Sequence, residues 1–74
     1  MTKLEFLRRS RGLSQVELAE RLGVHPTIIV HIERGYRKPY PKIREALADF
    51  FGISEARLFH EDGWPQKVDF ENVV

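Results

Sequence analysis

The sequence predicts an all-α domain of five short helices followed by a brief C-terminal extension, on three observations. Helix-start residues recur along the chain with helix-stopping glycines between them. Apolar residues fall at helical spacing inside each interval. The 74 residues include no cysteine, which excludes a disulfide scaffold or a thiolate metal site as the organiser of another fold. A chain this short forms one domain and buries roughly 60% of its extended surface, so its core is thin. An apolar content of 42% suffices for such a core.

The first helix is expected over 3–11. Thr2 and Glu5 have the spacing of a capping box, in which hydroxyl and carboxylate satisfy free amides of a first turn, and Leu4 and Leu7 face inward. A second box, Ser14 with Glu17, opens a helix over 15–22 that turns Val16, Leu18, Ala19 and Leu22 inward. The third helix, 26–34, has Pro26 at a position where a missing N–H costs nothing. Its inward face is Ile28, Ile29 and Ile32. Pro41 opens the fourth, 41–51, with Ile43, Ala46, Leu47, Phe50 and Phe51 as its stripe, and Ser54 caps a last short helix over 55–60. Gly12, Gly23, Gly35 and Gly52 close the first four helices, and Val24 with Ile29, like Ile53 with Leu58, has the spacing of a hydrophobic staple.

The organisation is therefore a helical domain over 1–60 and a tail over 61–74. Glu61-Asp62-Gly63-Trp64-Pro65 is turn-like, and Val68-Asp69-Phe70-Glu71 alternates as a half-buried strand does. A frayed terminus is one reading. The other is docking or pairing of the tail, favoured because Trp64, Val68, Phe70, Val73 and Val74 are costly to leave in water.

Charge is divided along the chain although the net value is only +1. Residues 1–45 carry ten cations and five anions, whereas residues 46–74 carry two cations and six anions. A basic front suggests a polyanion on one face, with solvent or a partner at the acidic end. No apolar run reaches the roughly 20 residues of a membrane helix. Met1-Thr2-Lys3-Leu4-Glu5 lacks the apolar stretch of a signal peptide, so a reducing cytoplasm is the expected setting. Enzyme chemistry is not expected. Of the imidazoles His25, His31 and His60, the first two are six residues apart, not the three or four that stack ligands on a helix face. No glycine-rich phosphate loop, nucleophile elbow or pocketed carboxylate pair is visible, so neither a metal nor a cofactor is expected.

The segment Ser14 to Arg34 meets the demands of a helix-turn-helix, two short helices joined by a tight turn containing glycine. Gly23-Val24-His25 forms the turn, Ala19 is small where the helices cross, and Leu18, Val24, Ile29 and Ile32 seal the angle. A generic helical hairpin meets each demand singly; their conjunction favours the motif. On these residues the chain resembles the Cro/C1-type (lambda-repressor-like, XRE) helix-turn-helix family. Leu7-Arg8-Arg9-Ser10-Arg11-Gly12-Leu13-Ser14-Gln15-Val16-Glu17-Leu18-Ala19 is similar to that family's first helix and the entry to its second. Gly23-Val24 and Ile29-Val30-His31-Ile32-Glu33-Arg34-Gly35 resemble its turn and third helix. Arg37-Lys38-Pro39, Leu47-Ala48 and Gly52-Ile53-Ser54 resemble its loop, its fourth helix and the lead into its fifth. The likeness covers residues 3–59 and leaves the tail outside.

The resemblance implies a sequence-specific transcriptional regulator, most often a repressor, that binds double-stranded DNA. It implies a structural ion pair between Arg8 and Glu33. Base-reading positions would be His25, Pro26, Thr27, Val30 and His31, with the third helix in the major groove. Phosphate contacts would come from Ser14, Gln15, Arg34, Tyr36, Arg37, Lys38, Tyr40 and Lys42. Arg9 and Arg11 are read equally as further contacts or as solvated cations, and Arg44, where the family often has an apolar residue, is expected to turn outward. Pro26 and Val30 are apolar where family members commonly carry Ser, Arg, Gln or Asn, which predicts A·T-leaning or shape-based recognition. One such module buries little surface, so a homodimer on a palindromic operator is expected. Trp64, Val68 and Phe70 are the candidate dimerisation residues. The alternative is a protein-interaction module or antitoxin-like partner on the same fold, motivated by the apolar run Pro26-Thr27-Ile28-Ile29-Val30. Against it, a protein-only module has no need for Arg34, Arg37, Lys38 and Lys42 beside the third helix.

Overall fold

The computed structural model describes residues 1–69. Five helices follow one another: α1 (Lys3–Ser10), α2 (Gln15–Leu22), α3 (Pro26–Glu33), α4 (Pro41–Phe51) and α5 (Glu55–Leu58). The start signals act as their chemistry requires. Ser14 and Glu17 form the full reciprocal capping box on α2, at 3.0 and 3.1 Å. Thr2 accepts the Glu5 amide at 3.1 Å, while the Glu5 carboxylate turns to Arg9 at 2.9 Å. Ser54 occupies the cap position of α5 with no side-chain cap bond. Gly23 ends α2 at φ 70°, a left-handed conformation that a side chain resists.

The helical faces converge on one core of Leu4, Leu18, Ala19, Ile29, Ile32, Ile43, Leu47, Ala48, Phe51, Leu58 and Phe59. Leu7, Leu22, Val24, Ile28, Phe50 and Ile53 pack around it. Val16 is a correction, being 51% exposed rather than inward. The buried stripe of α2 runs through Leu18, Ala19 and Leu22, and at 100° per residue Val16 falls well outside it.

Two arginines are also placed differently from expectation. Arg11 folds over the end of α4, donating to the Phe50 and Phe51 carbonyls at 3.2 and 2.9 Å, with its guanidinium 5.1 Å from the Phe51 ring centre. It satisfies carbonyls that a helix end leaves free, so it is engaged within the fold. Arg44 does not turn outward. Its Nη1 donates to the Pro39 carbonyl at 2.7 Å, and its Nε lies 3.7 Å from Glu55.

The tail returns to the domain. Phe59 leaves α5 in extended conformation and bridges to Pro65, and Lys67 bridges to Thr2. Backbone bonds join His60 N to Trp64 O, Gln66 N to Leu58 O, Lys3 N to Gln66 O and Val68 N to Met1 O, all within 2.9 Å. Gln66 adds side-chain bonds to the Ala56 and Phe59 carbonyls and accepts from Lys3. Among the described residues the bridges fall at Pro65 and Lys67, and their partners are the chain's own N-terminus and the exit of α5; the alternating segment expected over 68–71 reaches beyond the described residues. Of the tail's apolar side chains, Trp64 keeps 39% exposure. Phe70, Glu71, Val73 and Val74 lie outside the described residues.

Candidate nucleic-acid interface

The polar centre of the domain ties three segments to α3. Arg8, on α1, grips Glu33 with a fork: Nε donates to Oε2 at 2.6 Å and Nη2 to Oε1 at 3.0 Å. Its Nη1 donates to the Leu13 carbonyl at 2.8 Å. Gln15, at the start of α2, donates through Nε2 to Glu33 Oε1 at 3.0 Å. Arg8 and Glu33 are 7% and 4% exposed, so neither charge is solvated enough to stand alone. The hydrogen bond to Glu33 holds the Arg8 guanidinium above arginine's usual range, outweighing burial. Arg8 is thus charged at any pH the fold survives. Among the described residues no buried side-chain nitrogen or oxygen lacks a partner.

With Ile29, Ile32 and Glu33 buried, α3 turns Pro26, Thr27, Val30, His31 and Arg34 to the other side. These five share one stripe at helical spacing. Thr27 and Arg34 are exposed, and Pro26, Val30 and His31 are half-buried. His25 precedes them as an N-cap, its Nδ1 accepting the Thr27 amide at 3.1 Å. That bond engages one ring nitrogen and leaves Nε2–H as the donor. Beyond the helix the chain folds back, and the amides of Tyr36 and Arg37 donate to the His31 carbonyl at 2.9 and 3.3 Å. The Tyr36 ring lies 6.1 Å from His31, with 71% of the residue exposed.

The sequence-predicted phosphate residues fall into separate groups. Ser14, Gln15 and Arg34 line one concavity of about 520 Å³ at the α2 N-terminus, together with Arg9. Hydrogen bonds from the Ser14 amide, then from its hydroxyl, hold the Glu17 carboxylate below the ordinary glutamate range. Tyr40 and Lys42 line a smaller hollow of about 230 Å³ with Leu22, Gly23 and Val24 beneath the turn. Arg37 and Lys38 stand exposed on the loop between α3 and α4. Arg34 belongs to two hollows, since it also borders a groove of about 690 Å³ with Trp64, Pro65 and Lys67 of the tail. Sequence reasoning missed the tail's closeness to this surface, whose one signal was the turn-forming Asp62-Gly63 pair. No cluster of three or more potential metal ligands occurs among the described residues.

A small domain with two helices crossing at a left-handed glycine turn, the second braced from beneath by a buried ion pair, narrows the choice of family. A family model described as helix-turn-helix matches residues 4–58. The chain belongs to the Cro/C1-type helix-turn-helix family. The helix-turn-helix pair is α2 and α3, with α1, α4 and α5 as its support. The protein is similar to an uncharacterized HTH-type transcriptional regulator of Methanocaldococcus jannaschii. The two are 38% identical over 61 residues, covering 81% of this chain and 92% of that protein. No solved structure matches the chain. The helix-turn-helix match ends at Leu58, so the tail that closes on the N-terminus lies beyond it.

Proposed function

We propose that this DNA-binding regulator reads double-stranded DNA by laying α3 in the major groove. The carrying observation is the outward stripe of α3, which ends on exposed Arg34 beside Arg9 and leads into a loop bearing exposed Arg37 and Lys38, with a buried ion pair bracing the helix from behind. In this reading Thr27 and His31 offer hydrogen-bonding groups to base edges, and Nε2–H of His25 offers another. Pro26 and Val30 meet thymine methyls, which discriminates weakly, so the preferred site is A·T-leaning or chosen by shape. Gln15 has a second amide proton beyond the one given to Glu33, suited to a phosphate oxygen at the α2 N-terminus. Arg34, Arg37, Lys38 and Lys42, with the hydroxyls of Ser14, Tyr36 and Tyr40, grip the backbone on either side. Arg9 joins them, and Arg11 does not.

Selection of duplexes from a random pool tests the reading. The expected outcome is an enriched A·T-leaning site whose affinity falls with a steep salt slope. A guanine-dominated site would overturn the base-reading assignment. Enrichment of no duplex at all would return the fold to the protein-interaction reading.

A single module of this size covers one half-site, so two copies on a palindrome about one helical turn apart complete the operator, and repression by occlusion is the simplest consequence. Trp64 and Val68 are the described candidates for the dimer contact; Phe70 lies outside the described residues. Sedimentation of the full chain against one ending at His60 decides this. A full-length monomer at tens of micromolar would remove the tail from the dimer interface.

A further inference from the structure

We infer that the C-terminal turn around Gly63 is part of the DNA grip, acting as a prop that holds Lys38 in position; the inference rests on the DNA-binding reading above. The turn is closed by bonds from Gly63 N to His60 O and from His60 N to Trp64 O, both 2.8 Å, and by Asp62 accepting the Trp64 amide at 3.2 Å. Gly63 is buried, with φ +92°. A Cβ added there would stand 2.8 Å from Lys38 Cε and 2.8 Å from Arg44 Nη1. The lysine stem and the guanidinium thus both lie across the bare face of this glycine. The same Arg44 Nη1 donates to the carbonyl of Pro39, the buried residue next to Lys38.

Two consequences follow for the loop between α3 and α4. Its backbone is fixed from below by Arg44, and its lysine is laid along the tail instead of rotating freely. A lysine loses much rotamer freedom when its ammonium is pinned to a phosphate, and a stem already held loses less; a stem pushed off the tail is also carried away from that phosphate, so the contact itself is lost. Gly63 is therefore a positioning residue that acts through Lys38, and it lies in the segment beyond the family match.

Gly63→Ala tests this: the added methyl displaces the ends of two flexible side chains, Lys38 and Arg44, and strains the backbone at φ +92°, so unfolding of each variant is measured beside binding. Binding to a selected duplex is measured over a range of salt in four proteins: wild type, Gly63→Ala, Lys38→Ala and the double variant. The expected result is a ~3- to 10-fold loss of affinity in Gly63→Ala, with a salt slope smaller by about one phosphate contact. Lys38→Ala should show the same slope, and the double variant should bind no more weakly than Lys38→Ala alone. Additive losses, or a Gly63→Ala slope equal to wild type, would overturn the inference. Wild type binding no duplex would instead overturn the DNA-binding reading. A measurement on the unaltered protein covers the case in which Gly63→Ala is poorly folded: proximity between the Lys38 ε-methylene and Gly63 α-protons, read by nuclear Overhauser effect in free and DNA-bound states. The contact should persist in both, and its absence from the bound state would refute the prop.

Discussion

At the scale of single residues, Glu33 is the point on which the interface turns. Its two oxygens receive Arg8 twice and Gln15 once, so one carboxylate fixes the distance from α3 to α1 and to the start of α2. Glu33→Ala leaves the Arg8 guanidinium buried and unpaired, and a loss of about 3–5 kcal/mol is expected in urea unfolding. Replacing both partners with apolar residues, as in Arg8→Met with Glu33→Leu, should cost far less, because no charge is then stranded. Arg37→Ala belongs to a different class, with unfolding unchanged within about 0.5 kcal/mol but weaker DNA binding and a shallower salt dependence. The pairing of Arg8 with Glu33 was open to family resemblance, since it joins two motif positions. The folding of Arg44 onto Pro39 and Glu55 was not, because an arginine at helical spacing shows nothing of which neighbouring carbonyl it will find.

At the scale of the helices, start and stop chemistry was legible almost to the residue. The fourth helix has the expected bounds, and the first and third end one residue early because Arg11 and Arg34 are their caps. Helix α5 stops at Leu58 because Phe59 adopts extended backbone to bridge Pro65, a long-range demand that local pattern does not encode. Val16 was misjudged for a related reason: its valine character outweighed its angular position on α2. The α2 box carries a pH signature. Glu17 is held below the usual glutamate range by Ser14, so its contribution is present above the unfolded pKa of about 4.3 and is lost as acid carries pH down through the folded value. Nuclear magnetic resonance titration should find the Glu17 carboxyl turning over below ordinary glutamates, with exchange of the Ser14 amide accelerating over the same range. Ser14→Ala should cost about 1 kcal/mol of stability and abolish that depression.

At the scale of the whole molecule, the tail acts as a strap joining the two ends of the described chain. Its backbone bonds to Met1, Lys3, Leu58 and His60, and the Gln66 side chain, bind the start of α1 to the end of α5. Hydrogen bonds of this kind contribute about 0.5–1.5 kcal/mol each. Ending the chain at His60 should therefore destabilise it by roughly 3 kcal/mol, seen as a melting point lower by at least 10 °C. Truncation that leaves the melting point unmoved would show the strap to be ornamental. The tail's tendency to pair was readable from Trp64, Pro65 and the alternation after them. Its partner was not, because Thr2 advertises itself as a helix cap and gives no sign of being half of a bridge as well. Helix α3, proposed above to enter the major groove, is finished before any ligand arrives: the His25 ring closes its first turn, and two amides from beyond Gly35 close its last. Calorimetry of complex formation at several temperatures should accordingly give a heat-capacity change matched to the area covered, with none of the excess that marks a segment folding as it docks.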